Sequence, residues 1–149
     1  MSLAQKIASD LINAMKGRDK AALEAIRAAK TAFILARTEK GADYVLTQGE
    51  ELKIIQKLVK QRRESAAIYK EQNRIDLYDR EVAEADVLEK YLPAKMSDEE
   101  LSRTIREIIG RLGAKSPADM GKVMGAAVKE LAGKADGKEI SVKVKQLLG

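Results

Sequence analysis

The residues of this chain best equipped for chemistry fall between Ser116 and Gly137, in the stretch SPADMGKVMGAAVKELAGKADG. Gly121 and Gly125 stand four apart, Lys122 and Lys129 flank them, and Lys134 and Lys138 bracket the turn that follows. Ammonium groups beside bare backbone can hold phosphate oxygens closely, so the chemistry this pattern suits is the binding of a polyanion. The chain contains neither cysteine nor histidine. That removes thiol nucleophiles, disulfides, the usual zinc ligands and the commonest general base, and with them most enzyme mechanisms. No residue is assigned a catalytic role, and neither a metal nor another cofactor is expected.

The pattern predicts a helix. Ser116 suits the N-cap, Pro117 the first helical position where no N–H is needed, and Asp119 the positive end of the helix dipole. Met120, Val123, Met124, Ala127, Val128 and Leu131 then form one continuous apolar face, and Gly133 is placed to close the helix in the left-handed conformation. Gly121 and Gly125 each cost about 1 kcal/mol relative to alanine inside a helix, so something must need bare backbone. At about 100° per residue both lie beside the apolar stripe, between it and the two lysines. Two readings are open: a neighbouring helix crossing closely against the glycine flank, or a landing strip for a polyanion held by the lysines.

The elements that must position this stretch are helices. A length of 149 residues suits one domain or two small ones with a real core. One Phe, no Trp and many Ala, Leu, Lys and Glu predict an all-α fold without a sheet. Ser2 with Gln5, Thr47 with Glu50, Ser97 with Glu100 and Asp136 with Glu139 repeat the reciprocal capping pattern that marks helix starts. The first helix carries Leu3, Ile7, Leu11, Ala14 and Met15 inward and stops at Gly17. The second runs from about Asp19 to Gly41 with Leu23, Ile26, Phe33 and Leu35 or Ala36 inward. The third carries Leu52, Ile55, Leu58, Val59, Ala66 and Tyr69 as far as Asn73. The fourth, Asp76 to Leu92, turns Leu77 or Tyr78, Val82, Ala85, Leu88 and Leu92 inward and is stopped by Pro93. A fifth, lined by Leu101, Ile105, Ile108, Ile109 and Leu112, closes at Gly113, and the last buries Ile140, Val144, Leu147 and Leu148. The expected organisation is therefore an amino-terminal helical region with long antiparallel helices over residues 1–95, then a small three-helix domain over 96–149.

Charge is unevenly placed. Lys53, Lys57, Lys60, Arg62 and Arg63 form a basic block on the third helix, and Asp76, Asp79, Glu81, Glu84, Asp86 and Glu89 an acidic one on the fourth. Joined by a tight turn near Asn73, the two would neutralise one another across an antiparallel pair. The net charge of +5 leaves an excess elsewhere: between Arg111 and Gly149 stand eight Lys or Arg against four Asp or Glu. Lys134 and Lys138 bracket the amino end of the last helix, where free N–H groups and the dipole favour an anion. The acids at Asp98 to Glu100 are read as helix-start charges, and Asp119 and Asp136 as caps, rather than as a paired-carboxylate site.

KQRRES at Lys60 to Ser65, YLP at Tyr91 to Pro93, DMGKVMG at Asp119 to Gly125 and KADGK at Lys134 to Lys138 resemble the GatB/YqeY family over essentially the whole chain. That family comprises stand-alone YqeY-like proteins, whose domain also forms the tail of the GatB subunit of tRNA-dependent amidotransferases. The resemblance implies an all-α amino-terminal region followed by a three-helix carboxyl-terminal domain, and a context of tRNA and carbon–nitrogen ligation with glutamine as amide donor. It transfers no active site, because the chain has no phosphate-binding loop of the G-x-x-x-x-G-K-S/T kind and no glutaminase-type constellation.

The function expected from the sequence is a non-catalytic RNA-binding module, for tRNA foremost, using Gly121, Lys122, Gly125, Lys129, Lys134 and Lys138. The alternative is a protein-interaction module or amidotransferase accessory whose glycine flank receives a partner helix. No apolar run approaches bilayer-spanning length and the amino terminus is unlike a signal peptide, so no membrane partner and a cytoplasmic location are expected.

Overall fold

In the computed structural model, which describes residues 2–149, the chain folds into seven α-helices and one 3-10 turn, with no strand among the described residues. The helices are α1 (Leu3–Gly17), α2 (Lys20–Lys40), α3 (Gln48–Glu71), α4 (Ile75–Glu89), α5 (Asp98–Leu112), α6 (Met120–Glu130) and α7 (Gly137–Leu148). The 3-10 turn, Pro117–Asp119, directly precedes α6. The fold is all-α, and it divides into two compact units, Met1–Leu92 and Pro93–Gly149.

The amino-terminal unit is built on the α3–α4 pair, with α1 against α2 and α2 against α4. The tight turn between α3 and α4 puts Asn73 in the left-handed region at φ 58°, a conformation asparagine tolerates better than most residues. The core gathers Ile7, Ala25, Ile26, Ala29, Phe33, Ile55, Val59 and Leu88. Of the basic block on α3 only Arg62 and Arg63 meet the acids of α4: Arg63 lies 2.7 Å from Asp86 and 2.5 Å from Glu89, and Arg62 lies 4.0 Å from the buried Glu84, whereas Lys53, Lys57 and Lys60 are exposed and have no salt-bridge partner among the described residues. The reciprocal capping expected at Ser2/Gln5 and Thr47/Glu50 is complete in both directions.

The carboxyl-terminal unit packs α5, α6 and α7 around Leu101, Ile105, Ile108, Val123, Ala127, Leu131, Ile140 and Val144. Gly113 ends α5 at φ 65°, where a Cβ would be strained, and Gly133 adopts φ 79° in the turn after α6. At Ser97/Glu100 and Asp136/Glu139 only half of the capping pattern forms. The cap oxygen accepts from the third residue's N–H, and the reciprocal acid bond is not made.

Several expected inward residues face solvent. Met15 is 55% exposed, Leu35 59% and Leu112 42%. Met15 sits at the edge of the α1 stripe, Leu35 falls about opposite the face of α2 that buries Ile26 and Phe33, and Leu112 is the last residue of α5, one turn beyond the buried Ile108. On α1 the small Ala14 lets the neighbouring helix approach closely, which leaves less room for the long Met15 beside it. Among the described residues, no helix is long and apolar enough to cross a membrane.

Candidate nucleic-acid interface

The stretch from Ser116 onward does not begin as one α-helix. The Ser116 side chain makes no capping bond. The start is organised by Asp119, whose Oδ2 accepts the Lys115 N–H at 3.0 Å. This bond, with help from the Ser116 N–H and the charge of Lys122, holds the Asp119 carboxyl below its ordinary range. An acid that can close back on preceding N–H groups favours a tight 3-10 turn, and the regular helix starts only at Met120.

Within α6, Val123 and Ala127 are fully buried, followed by Leu131 just past its end, while Met120, Met124 and Val128 are half-buried. Placed at about 100° per residue, Gly121, Gly125, Lys129 and Lys122 occupy the arc opposite that core. All four are exposed. A Cβ built on either glycine would meet nothing within 4 Å. Among the described residues of the carboxyl-terminal unit, no helix crosses closely against these glycines. They cost helix stability and gain no packing in return.

The acids near this face are committed elsewhere. Glu130 pairs with Arg111 of α5, and Asp119 closes the preceding turn, whereas Lys122 and Lys129 have no salt-bridge partner among the described residues. Their separation of seven residues, about 10 Å along the axis, sets two ammonium groups on one side of the helix. Lys134 and Lys138 are exposed too, but their surroundings differ. The Lys134 carbonyl accepts the Met96 N–H at 3.3 Å, fixing its backbone. Lys138 shares the start of α7 with two carboxylates: Asp136 Oδ1 accepts the Glu139 N–H at 2.7 Å, and Glu139 lies 3.5 Å from Lys95. Lys143, further along α7, is paired with Asp98 at 2.7 Å. The six expected positions thus fall into an exposed face on α6, carrying four of them, and Lys134 in the turn before α7 with Lys138 at its mixed-charge start.

Arg103 and Arg106 on α5 are exposed and have no salt-bridge partner among the described residues. They did not stand out in the sequence, since the helix also carries Asp98, Glu99, Glu100 and Glu107. Their spacing of three, on the polar side of a strongly amphipathic helix, was the available signal. No group of three or more Asp or Glu among the described residues is arranged to hold a metal ion.

A family model described as Yqey-like protein matches residues 4–148. The chain belongs to the YqeY-like family. A protein of Pyrenophora tritici-repentis (strain Pt-1C-BFP), named altered inheritance of mitochondria protein 41, mitochondrial, is 29% identical over 148 residues, covering 97% of this chain and 80% of that protein. The YqeY-like match spans residues of both units, α6 among them.

Proposed function

We propose that the carboxyl-terminal unit is an RNA-binding module, for tRNA foremost, related in role to the tail of glutamine-dependent aminoacyl-tRNA amidotransferase and without a catalytic site of its own. The observation that carries this reading is the uncovered face of α6, where two helix-weakening glycines stand beside two unpaired lysines. Missing Cβ atoms at Gly121 and Gly125 let a sugar–phosphate backbone approach the helix, and Lys122 and Lys129 supply the charge. Lys134 and Lys138 form a second, weaker anchor, because Asp136 and Glu139 offset part of the field there. The unit contains no Phe, Tyr or Trp. Base stacking is therefore not available, and recognition rests on phosphates and shape.

A second reading, an interaction module or amidotransferase accessory, is favoured by the same bare backbone, which also suits a partner helix. Two substitutions separate them. Gly125→Leu fills the face with a branched side chain and abolishes helix docking, while Lys122→Glu with Lys129→Glu reverses the charge and abolishes phosphate binding. Capture of tRNA by the purified chain, lost with the lysine pair and with ribonuclease treatment, supports the RNA reading. Capture that survives ribonuclease and fails only with Gly125→Leu overturns it in favour of the second.

A further inference from the structure

The amino-terminal unit holds a half-open cavity of about 320 Å³ between α1, α2 and the segment leading into α3. Its wall is mainly apolar, with Ile7 and Phe33 buried and Leu46 beside them. This volume lies at the small end of the range for ligand pockets, roughly 300–1,000 Å³.

Three charged groups converge on this cavity. Glu51 lines it, yet is only 4% exposed. One of its oxygens, Oε2, accepts the Ala4 N–H at 2.9 Å, and the other, Oε1, has no hydrogen-bond partner among the described residues. Among the described residues no side-chain oxygen is both buried and unpaired, so Oε1 keeps access to the cavity that Glu51 lines, where it can accept a donor. Lys30 and Arg37 also line the cavity, seven residues apart on α2, with Phe33 between them. On the same helix Arg27 and Lys40 are paired with Glu24 and Glu50, but Lys30 and Arg37 have no acid partner among the described residues.

We propose that this cavity binds a free α-amino acid with an apolar side chain, its ammonium on Glu51, its carboxylate between Lys30 and Arg37, and its side chain against Ile7, Phe33 and Leu46. A fatty carboxylate would satisfy the cations but lay its tail over the open Glu51 oxygen. A simple amine would satisfy Glu51 but leave both cations idle. A zwitterion with an apolar body uses all three features. The site is on the other unit from the α6 face, so its test is independent of RNA binding.

The test is calorimetry and amide-shift mapping on the full chain with L-leucine and L-phenylalanine, against N-acetyl-L-leucine, isoamylamine and octanoate. The amino acids should bind and shift amides around Phe33 and Glu51. Removing the ammonium or the carboxylate from the ligand should weaken binding by about tenfold or more. Glu51→Gln should do the same. Lys30→Ala with Arg37→Ala, at exposed positions that leave the fold intact, should weaken amino acids and spare isoamylamine. Failure of both amino acids to bind at millimolar concentration overturns the proposal, as does octanoate or N-acetyl-L-leucine binding as tightly as L-leucine.

Discussion

The two basic stretches of this molecule look alike in sequence and differ in what their charges meet. On α3, Arg62 and Arg63 are held by Glu84, Asp86 and Glu89 of α4, and Arg80 adds a second cation 3.4 Å from Glu84. On α6, Lys122 and Lys129 face solvent with no salt-bridge partner among the described residues, beside glycine backbone where an added Cβ would meet nothing within 4 Å. The first arrangement is internal glue between antiparallel helices, and the second is a surface left free. Counting basic residues does not distinguish them. What does is whether an acid on a neighbouring element lies at salt-bridge distance, and whether the helix gives up stability without packing to show for it.

This contrast can be broken most severely at Glu84. Replacing this buried acid with alanine strands Arg62, which is itself largely covered, and should cost about 3 kcal/mol in denaturant unfolding of the amino-terminal unit while leaving RNA affinity unchanged. A cost below about 0.5 kcal/mol would show that the α3–α4 charges are no more structural than those of α6. A smaller effect of opposite sign is expected on α6. Gly121→Ala and Gly125→Ala, placed where a Cβ meets nothing, should each raise stability by about 0.5–1 kcal/mol, and each should weaken tRNA binding. Destabilisation by either would mean that the glycines serve the fold after all. Reversing Lys122 and Lys129 should change unfolding by less than about 0.5 kcal/mol, as expected for exposed residues without partners.

The smallest effect is an acid-range one at the start of α3. Glu50 accepts from Lys40 and Tyr44 and closes the Thr47 capping box, and these contacts, Lys40 first, lower its carboxyl to about 2. A depressed pKa means that the stabilisation is complete above the ordinary carboxylate value of 4.5 and is lost as pH falls from there towards 2. Glu50→Gln should flatten the pH dependence of thermal stability in that window, measured by circular dichroism, and its cost should be largest near pH 7, where the native carboxylate's contribution is complete. An unchanged acid profile would remove Glu50 from the account.

Much of this was legible in the sequence because helices announce themselves locally. Ser2 and Thr47 with their third-residue partners mark helix starts, Gly113 marks an end, and the 3.6-residue periodicity of Leu101, Ile105 and Ile108 marks a buried face. The Arg62 and Arg63 pairing followed from opposite charge on consecutive helices. What escaped the sequence depends on neighbours it does not name. Glu51 looked like any first-turn acid, yet it is buried because the amino end of α1 arrives against it and donates the Ala4 N–H. Ser116 looked like a cap, but Asp119 three residues on competes for the same turn and wins with the stronger, charged acceptor. The glycines of α6 carried two readings because sequence shows that backbone is bare, not whether anything lies on it. Within the described residues of its own unit nothing lies on them, and the site on α6 stays a proposal about what comes from outside.

The salt dependence of tRNA affinity, compared between the native chain and the Lys122→Glu, Lys129→Glu pair, bears most directly on this. If the α6 face meets phosphates, the native chain loses affinity steeply with salt. The double variant then binds more than about tenfold more weakly, with a log–log slope shallower by about 2 units, one for each lost phosphate contact. Equal affinity and equal slope in the two proteins would contradict the assignment of this face to RNA.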